Sequence, residues 1–226
     1  MTAGLNNDFS KRVVLRTEEM DWQPSPSPSV WRKRLDLAGD VEASRVTSVV
    51  RYDPRSHFHA HPHPDGEEIL VLSGVFSDEQ GDHAAGSYLL NPEGFSHAPF
   101  SDEGCVLFVK LRQYRGLDRA QIKVDTAARH FSPASATGVE TMQLYSEPEH
   151  PEQVDLVRLA AGGSLPAASH PGGAEIFVLE GQIEEGDAVY DKGAWLRFPA
   201  GPRPALASGP GCRFYFKRDH LPPLGA

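Results

Sequence analysis

The chain is written twice. Shifted by 107 residues, its second half falls on its first without a gap over more than fifty positions. EEILVLSG from Glu67 meets AEIFVLEG from Ala174, GSYLLNPEG from Gly86 meets GAWLRFPAG from Gly193, and GCVLFVK from Gly104 meets GCRFYFK from Gly211. The leading segments agree at an offset of 109, WQPSPSPSV from Trp22 facing FSPASATGV from Phe131. The two-residue difference is expected to be absorbed near LAGDVEAS, 37–44. A period this long specifies tandem domains rather than a solenoid of short repeats. The expected domains are 8–115 and 116–220, with GLDRA near the join.

Each unit reads as β structure. The 21 glycines and 19 prolines interrupt the 226-residue chain so often that no long helical period survives. Between them lie short runs rich in β-branched and aromatic residues, such as RVTSVVRY, CVLFVKLRQY, EIFVLEGQI and CRFYFKR. Many short strands separated by turn signals predict an all-β sandwich or barrel.

Composition removes several classes of function. The formal charge is −9 and no dense Lys/Arg run exists, which argues against nucleic acid and anionic membrane as partners, since both need a concentrated positive field. No apolar stretch approaches the roughly 18–20 residues of a membrane span, and the N-terminus lacks the apolar core of a signal peptide. Two cysteines cannot build a disulfide framework. A reducing, cytoplasmic setting is the expectation.

The repeat also sorts residues by role. Gly74/Gly181, Gly86/Gly193, Gly94/Gly201 and Pro92/Pro199 occur in both copies and read as scaffold. Against that scaffold the first copy carries His61, His63, Glu67 and His97, where the second carries Ala168, His170, Ala174 and Pro204. Three of four polar groups are gone while the strands remain, so the set reads as chemistry rather than as support for the fold. A His-x-His pair on a strand places two imidazoles on one face. The Pro-Asp-Gly bend that follows can return Glu67 to the same point, and His97 would arrive from a neighbouring strand. Three neutral nitrogens and one carboxylate suit a borderline divalent ion. Tetrahedral geometry would make a closed structural zinc site; five or six positions would leave room for water, O₂ or a chelating substrate.

These motifs resemble the cupin superfamily, small jelly-roll (RmlC-like) barrels with a metal inside. Its first motif, G-x5-H-x-H-x3–4-E-x6-G, is matched by His61, His63, Glu67 and Gly74, with Arg55 at the opening glycine and Gly162 at the same place in the second copy. Its second motif, G-x5-P-x-G-x2-H-x3-N, is matched by Gly86, Pro92, Gly94 and His97, with Ser101 in place of the asparagine. The wording HPHPDGEEILVLSGVFSDEQGD is most similar to ChrR-type cupins, in which the cupin domain of an anti-sigma factor carries zinc on the equivalent histidines and glutamate. The resemblance implies two tandem barrels (a bicupin), the second metal-free. It implies one divalent transition metal per chain on His61, His63, Glu67 and His97: zinc or iron first, manganese or nickel next. The His-x3-Cys-x2-Cys domain with which such factors grip a sigma factor has no match here, so a sigma-factor partner is not expected.

Other residues read as structural. Glu68 has a counterpart in Glu175, and His170 is a lone survivor in its copy. His57 and His59 are expected on a loop before the ligand strand, as surface or barrel-mouth histidines, with a proton-relay or ligand-orienting role for His59 as the alternative. Cys105 and Cys212 pair across the copies and read as buried thiols, as Arg51/Arg158 and Lys110/Lys217 read as framework. Two functions compete: a metal-dependent dioxygenase cleaving a small chelating ketone bound in the first barrel, and a zinc-bearing sensor or binding module of oxidative-stress regulation. No catalytic residue beyond the ligands is singled out, and a homodimer is compatible with the sequence.

Overall fold

In the computed structural model, residues 4–39 and 44–222 are described, and helix among them is confined to two single 3-10 turns, Thr17–Glu19 and Thr126–Ala128. The chain divides into two compact units, 1–7 with 20–128 and 8–19 with 129–226.

The first unit is a ten-stranded antiparallel sheet. Its main path runs Ile122–Asp125, Ser87–Asn91, Glu67–Asp78, Cys105–Leu111, Arg45–Tyr52, Val30–Ala38, Gln23–Pro24. A two-stranded ribbon, His61–Pro62 with Ser96–His97, stands beside it. Period-2 alternation sends Ile69 and Val71, Leu107 and Val109, Val50 and Leu89 to one face, where they form one buried cluster with Val30, Phe76 and Cys105. Each such side chain taken out of water contributes about 1.5–3 kcal/mol.

The second unit repeats the order: Val13–Arg16, Ala194–Phe198, Ala174–Glu185, Cys212–Arg218, Gln153–Leu159, Val139–Ser146, Ser132–Pro133. Its core is bulkier, with Phe198, Phe214 and Phe216 among its members.

The units cut the chain differently from the sequence repeats. Val13–Arg16 pairs with Ala194–Phe198 in the second unit, and its repeat, Ile122–Asp125, pairs with Ser87–Asn91 in the first. The leading strand of each repeat therefore completes the sheet built by the other repeat. The hairpin that takes up the offset difference joins Ala38 and Arg45 in the first unit; its tip, 40–43, lies outside the described residues.

Candidate metal centre

The ribbon and one tight bend assemble the site. His97 stands opposite His61 in the ribbon, and the backbone N–H of His63 donates to the Phe95 carbonyl at 2.8 Å, extending the ladder by one residue. Asp65 and Gly66 then both take left-handed backbone, φ 57° and 74°, as the Pro-Asp-Gly signal predicts. A Cβ on Gly66 would come within 2.6 Å of Tyr114 Cβ and 2.9 Å of the Asn91 carbonyl oxygen, so glycine is required by space as well as by φ. The chain leaves this bend directly into Glu67, the first residue of Glu67–Asp78, which lies opposite Asn91.

His61, His63 and His97 converge, each offering a ligand nitrogen within 4.8 Å of the others. The Nε2 atoms of His63 and His97 are 2.9 Å apart. The Glu67 Oε2 atom lies 3.6 Å from His63 Nε2 and 3.5 Å from His97 Nε2. Glu67 thus stands beside two of the imidazoles, outside the three-histidine group. His63, Glu67 and His97 are buried and His61 is half-buried.

The arrangement fits a metal ion. Two nitrogens at ~2.1 Å from one ion and at right angles would be ~3.0 Å apart, close to the observed 2.9 Å. The outer nitrogens are used as a metal ligand requires. His97 Nδ1 is 3.2 Å from Asp78 Oδ2, and His61 Nδ1 is 2.9 Å from the His59 carbonyl oxygen. Donation at Nδ1 fixes the tautomer and leaves the Nε2 lone pair free. Glu67 Oε2 in turn accepts from Asn91 Nδ2 at 3.1 Å.

Electrostatics separate the two buried imidazoles. Burial lowers the pKa of His63, and the nearby Glu67 carboxylate offsets this only in part. Burial also works against a charged His97, but the Asp78 hydrogen bond and the Glu67 charge outweigh it, so its pKa is raised. For Asp78 itself burial opposes the charge. Hydrogen bonds from His83, His97 and the Gln80 backbone N–H overcome that and hold the carboxyl well below the usual carboxylate range.

The remaining expected positions resolve as follows. His57 lies on a two-residue strand, Ser56–His57, not a loop, and stacks on Phe100 with ring centroids 5.6 Å apart. His59 is exposed and meets the site through its backbone carbonyl, not its imidazole. Glu68 is buried and accepts from the Tyr88 hydroxyl at 3.1 Å; its counterpart Glu175 accepts from Trp195 Nε1 at 2.7 Å. Cys105 and Cys212 are free, buried thiols. Arg55, where the motif has glycine, adopts φ 63° against 72° for Gly162, so the left-handed turn is kept without the residue that suits it. Ser101 is buried and donates to the Val75 carbonyl at 2.5 Å.

Two residues that orient His97 and Glu67 escaped the sequence reading, Asp78 and Asn91. Asp78 is nineteen residues from His97 with no motif linking them. Asn91 alone carried a signal, because NPEG in the first copy stands against FPAG in the second. The ungapped alignment also misplaced one position. Arg203, not Pro204, lies opposite Ala168, where the first ribbon has His97 opposite His61.

A cavity of about 210 Å³ reaches the centre, with His61 and His63 in its wall alongside Val50, Val109, Leu111, Arg32, Arg34 and Arg112. It is smaller than the roughly 300–1,000 Å³ of drug-sized pockets.

The model of the family described as ChrR Cupin-like domain matches the chain twice, at 10–115 and 119–222. No curated protein matches. Among solved structures, a proposed dioxygenase from Nostoc punctiforme is 15% identical with a TM-score of 0.76, covering 96% of this chain and 85% of its own. The pirin YhhW from Escherichia coli, solved with nickel(II), is 14% identical with a TM-score of 0.67 (95% and 100%). A salicylate 1,2-dioxygenase from Pseudaminobacter salicylatoxidans is 14% identical with a TM-score of 0.61 (93% and 84%). At these identities the likeness is one of fold.

Proposed function

Because the chain belongs to the ChrR cupin-like family, whose model matches both of its halves, we propose that its first barrel holds one divalent transition metal on His61, His63, Glu67 and His97. With iron as the ion, the site would serve an oxygen-dependent cleavage of a small chelating ketone; zinc has no redox chemistry and belongs to the second reading below. The observation that carries this reading is the convergence of three imidazoles, two of which, His61 and His63, line a cavity of about 210 Å³. A purely structural zinc site needs no cavity at its edge. Held by these residues, an iron ion would polarise a chelating carbonyl and supply the redox chemistry towards O₂.

The chain's own part is placement. Asp78 and the His59 carbonyl orient two of the imidazoles, and Asn91 orients Glu67. Apolar Val50, Val109 and Leu111 keep bulk water from the reacting end. With a β-diketone, both atoms of O₂ add across one C–C bond, giving a carboxylic acid and a 2-oxo aldehyde or ketone. Two of the structurally similar proteins bear dioxygenase names and one was solved with nickel(II), which supports metal-dependent oxygen chemistry as a use of this fold.

The second reading, a zinc-bearing sensor of the anti-sigma type, rests on the family membership. Thiol-based sensing at Cys105 is disfavoured, because burial pushes that thiol up to about 11 and the thiolate is the reactive form. The deciding experiment is O₂ uptake by Fe(II)-loaded protein against a panel of β-diketones and hydroxyketones. Uptake coupled to loss of one panel member is expected. Silence across the panel, with zinc bound as isolated, would select the sensor.

A further inference from the structure

Glu67 is held by a row of side chains that crosses three strands, and the far end of the row comes from the second repeat. Glu67 lies opposite Asn91 in the pairing of Glu67–Asp78 with Ser87–Asn91. On the other side of Ser87–Asn91, Ile122 lies opposite Leu90. Extending that ladder by one residue sets Gln121 beside Asn91. Residues directly opposite one another share a face of the sheet. The hydrogen bonds follow this row: Gln121 Nε2 donates to Asn91 Oδ1 at 2.9 Å, and Asn91 Nδ2 donates to Glu67 Oε2 at 3.1 Å.

Each of these bonds depends on the other. Asn91 is only 1% exposed, so its amide oxygen needs a donor from the protein. Among the described residues Gln121 is the one that supplies it. An Asn91 amide turned over would set Oδ1 against the Glu67 carboxylate and its NH₂ group against that of Gln121, losing both bonds. Gln121 thereby fixes which end of Asn91 faces Glu67. The same Nε2 donates to Gln80 Oε1 at 3.0 Å, and the Gln80 backbone N–H donates to Asp78 Oδ1 at 2.8 Å. One amide therefore joins the residue that orients Glu67 to the segment that carries Asp78, which orients His97.

The second unit keeps the placement and changes the chemistry. Arg12 precedes Val13–Arg16 as Gln121 precedes Ile122–Asp125, and the two strands pair in equivalent register, Val13 opposite Arg197 and Ile122 opposite Leu90. Arg12 Cζ lies 5.2 Å from the ring centroid of Phe198, and Arg12 pairs with Glu185. Phe198 stands opposite Ala174 as Asn91 stands opposite Glu67, and Glu185 takes the place of Asp78 in its hairpin. The position before the leading strand thus serves both folds. The chain of amides occurs in the copy that has Glu67, and a cation on an aromatic ring replaces it in the copy that has alanine.

We propose that Gln121 is a positioning residue of the metal centre, and that through it the strand Ile122–Asp125 is coupled to the ion. Docking of the strand sharpens the site, and a bound ion holds the strand in place. The inference rests on the metal site proposed above. Gln121 is exposed, so its bonds compete with water. Its removal is expected to cost less than that of a residue touching a ligand, about three- to tenfold in metal affinity. Coupling of this kind is reciprocal, so the ion should in turn protect the strand.

The test uses the full-length chain with zinc and cobalt(II) as probes. Gln121→Met keeps the length and loses the donor. Gln121→Glu also loses it, while adding a negative charge that on its own would favour a cation. Both variants are expected to bind zinc more weakly by about that three- to tenfold factor, measured by competition with a chelator, and to alter the visible absorption of the cobalt form. Lys123→Met, exposed on the same strand, is expected to leave both readouts at their unaltered values. In the unaltered chain zinc should slow amide exchange in Ile122–Asp125 by a larger factor than in Val30–Ala38, towards the opposite edge of the same sheet. Gln121→Met should remove that difference. Unchanged zinc affinity and cobalt absorption in both Gln121 variants overturn the proposal and leave the metal site standing. Equal weakening in Lys123→Met marks a loss of strand stability alone and overturns it too, as does equal slowing of exchange in the two strands. Failure of the unaltered chain to bind either ion overturns the metal site, and the proposal with it.

Discussion

Asp78 accepts the Nδ1–H of His97 at 3.2 Å, and its other oxygen lies 3.4 Å from His83 Nε2. A buried carboxylate thus fixes His97 with its Nε2 turned towards His63. Partners of this kind are worth 10–100-fold in metal affinity. Asp78→Asn keeps the size and loses the charge, so it should weaken metal binding by about 10–100-fold with little change in secondary structure. Competition against a calibrated chelator measures this. An affinity unchanged within about twofold would mean that Asp78 serves the fold alone.

Gly66 sets where Glu67 begins. Its φ of 74° and the 2.6 Å approach a Cβ would make to Tyr114 leave no room for alanine. Gly66→Ala should cost about 2–4 kcal/mol of stability, by strain and overpacking together, and lower metal occupancy at the same time. Denaturant unfolding with metal analysis checks both. Wild-type stability would show that the bend yields.

Arg55 offers the opposite case. It holds φ 63° where the second unit uses Gly162, and a Cβ in that region costs about 1–2 kcal/mol. Part of this is lost again to the greater freedom of glycine in the unfolded chain. Arg55→Gly should therefore stabilise by up to about 1 kcal/mol, seen as a rise in denaturation midpoint at unchanged m-value. A fall would reveal a role for the arginine side chain itself.

The buried thiols should be silent. Burial raises Cys212 and pushes Cys105 up to about 11. Neither should react with an aromatic disulfide reagent at pH 8 until the protein unfolds. The unfolded chain also loses these protons first. The proton-rich folded state therefore loses stability as pH rises from about 9 towards 11. Rapid labelling of the native protein at pH 8 would contradict the buried placement.

Much of this architecture was legible in the sequence because the chain carries its own control. The second copy keeps Gly74, Gly86 and Gly94 as Gly181, Gly193 and Gly201 yet drops the carboxylate of Glu67, and that contrast isolates the candidate site. The same comparison could not show Asp78, since hydrogen bonds across a barrel leave no periodic trace. It could not show that Val13–Arg16 joins Ala194–Phe198, because two equivalent edges accept either copy of the arm equally well on pattern alone. A one-residue change of register in the second ribbon hid Arg203, which bonds the carbonyl oxygens of Pro166 and Pro204. The row of histidines from His57 to His63 does not share one face, as the sequence reading expected: the strands there are two residues long, Ser56–His57 and His61–Pro62, and residues 58–60 between them are irregular.

The central claim is one metal per chain, on His61, His63, Glu67 and His97. Elemental analysis of the purified chain, beside its His97→Ala and His59→Ala variants, tests it most directly. The account predicts about one transition-metal ion in the unaltered chain, loss in His97→Ala and retention in His59→Ala, which keeps the backbone carbonyl that His61 uses. About two ions per chain, or equal loss in both variants, would contradict it.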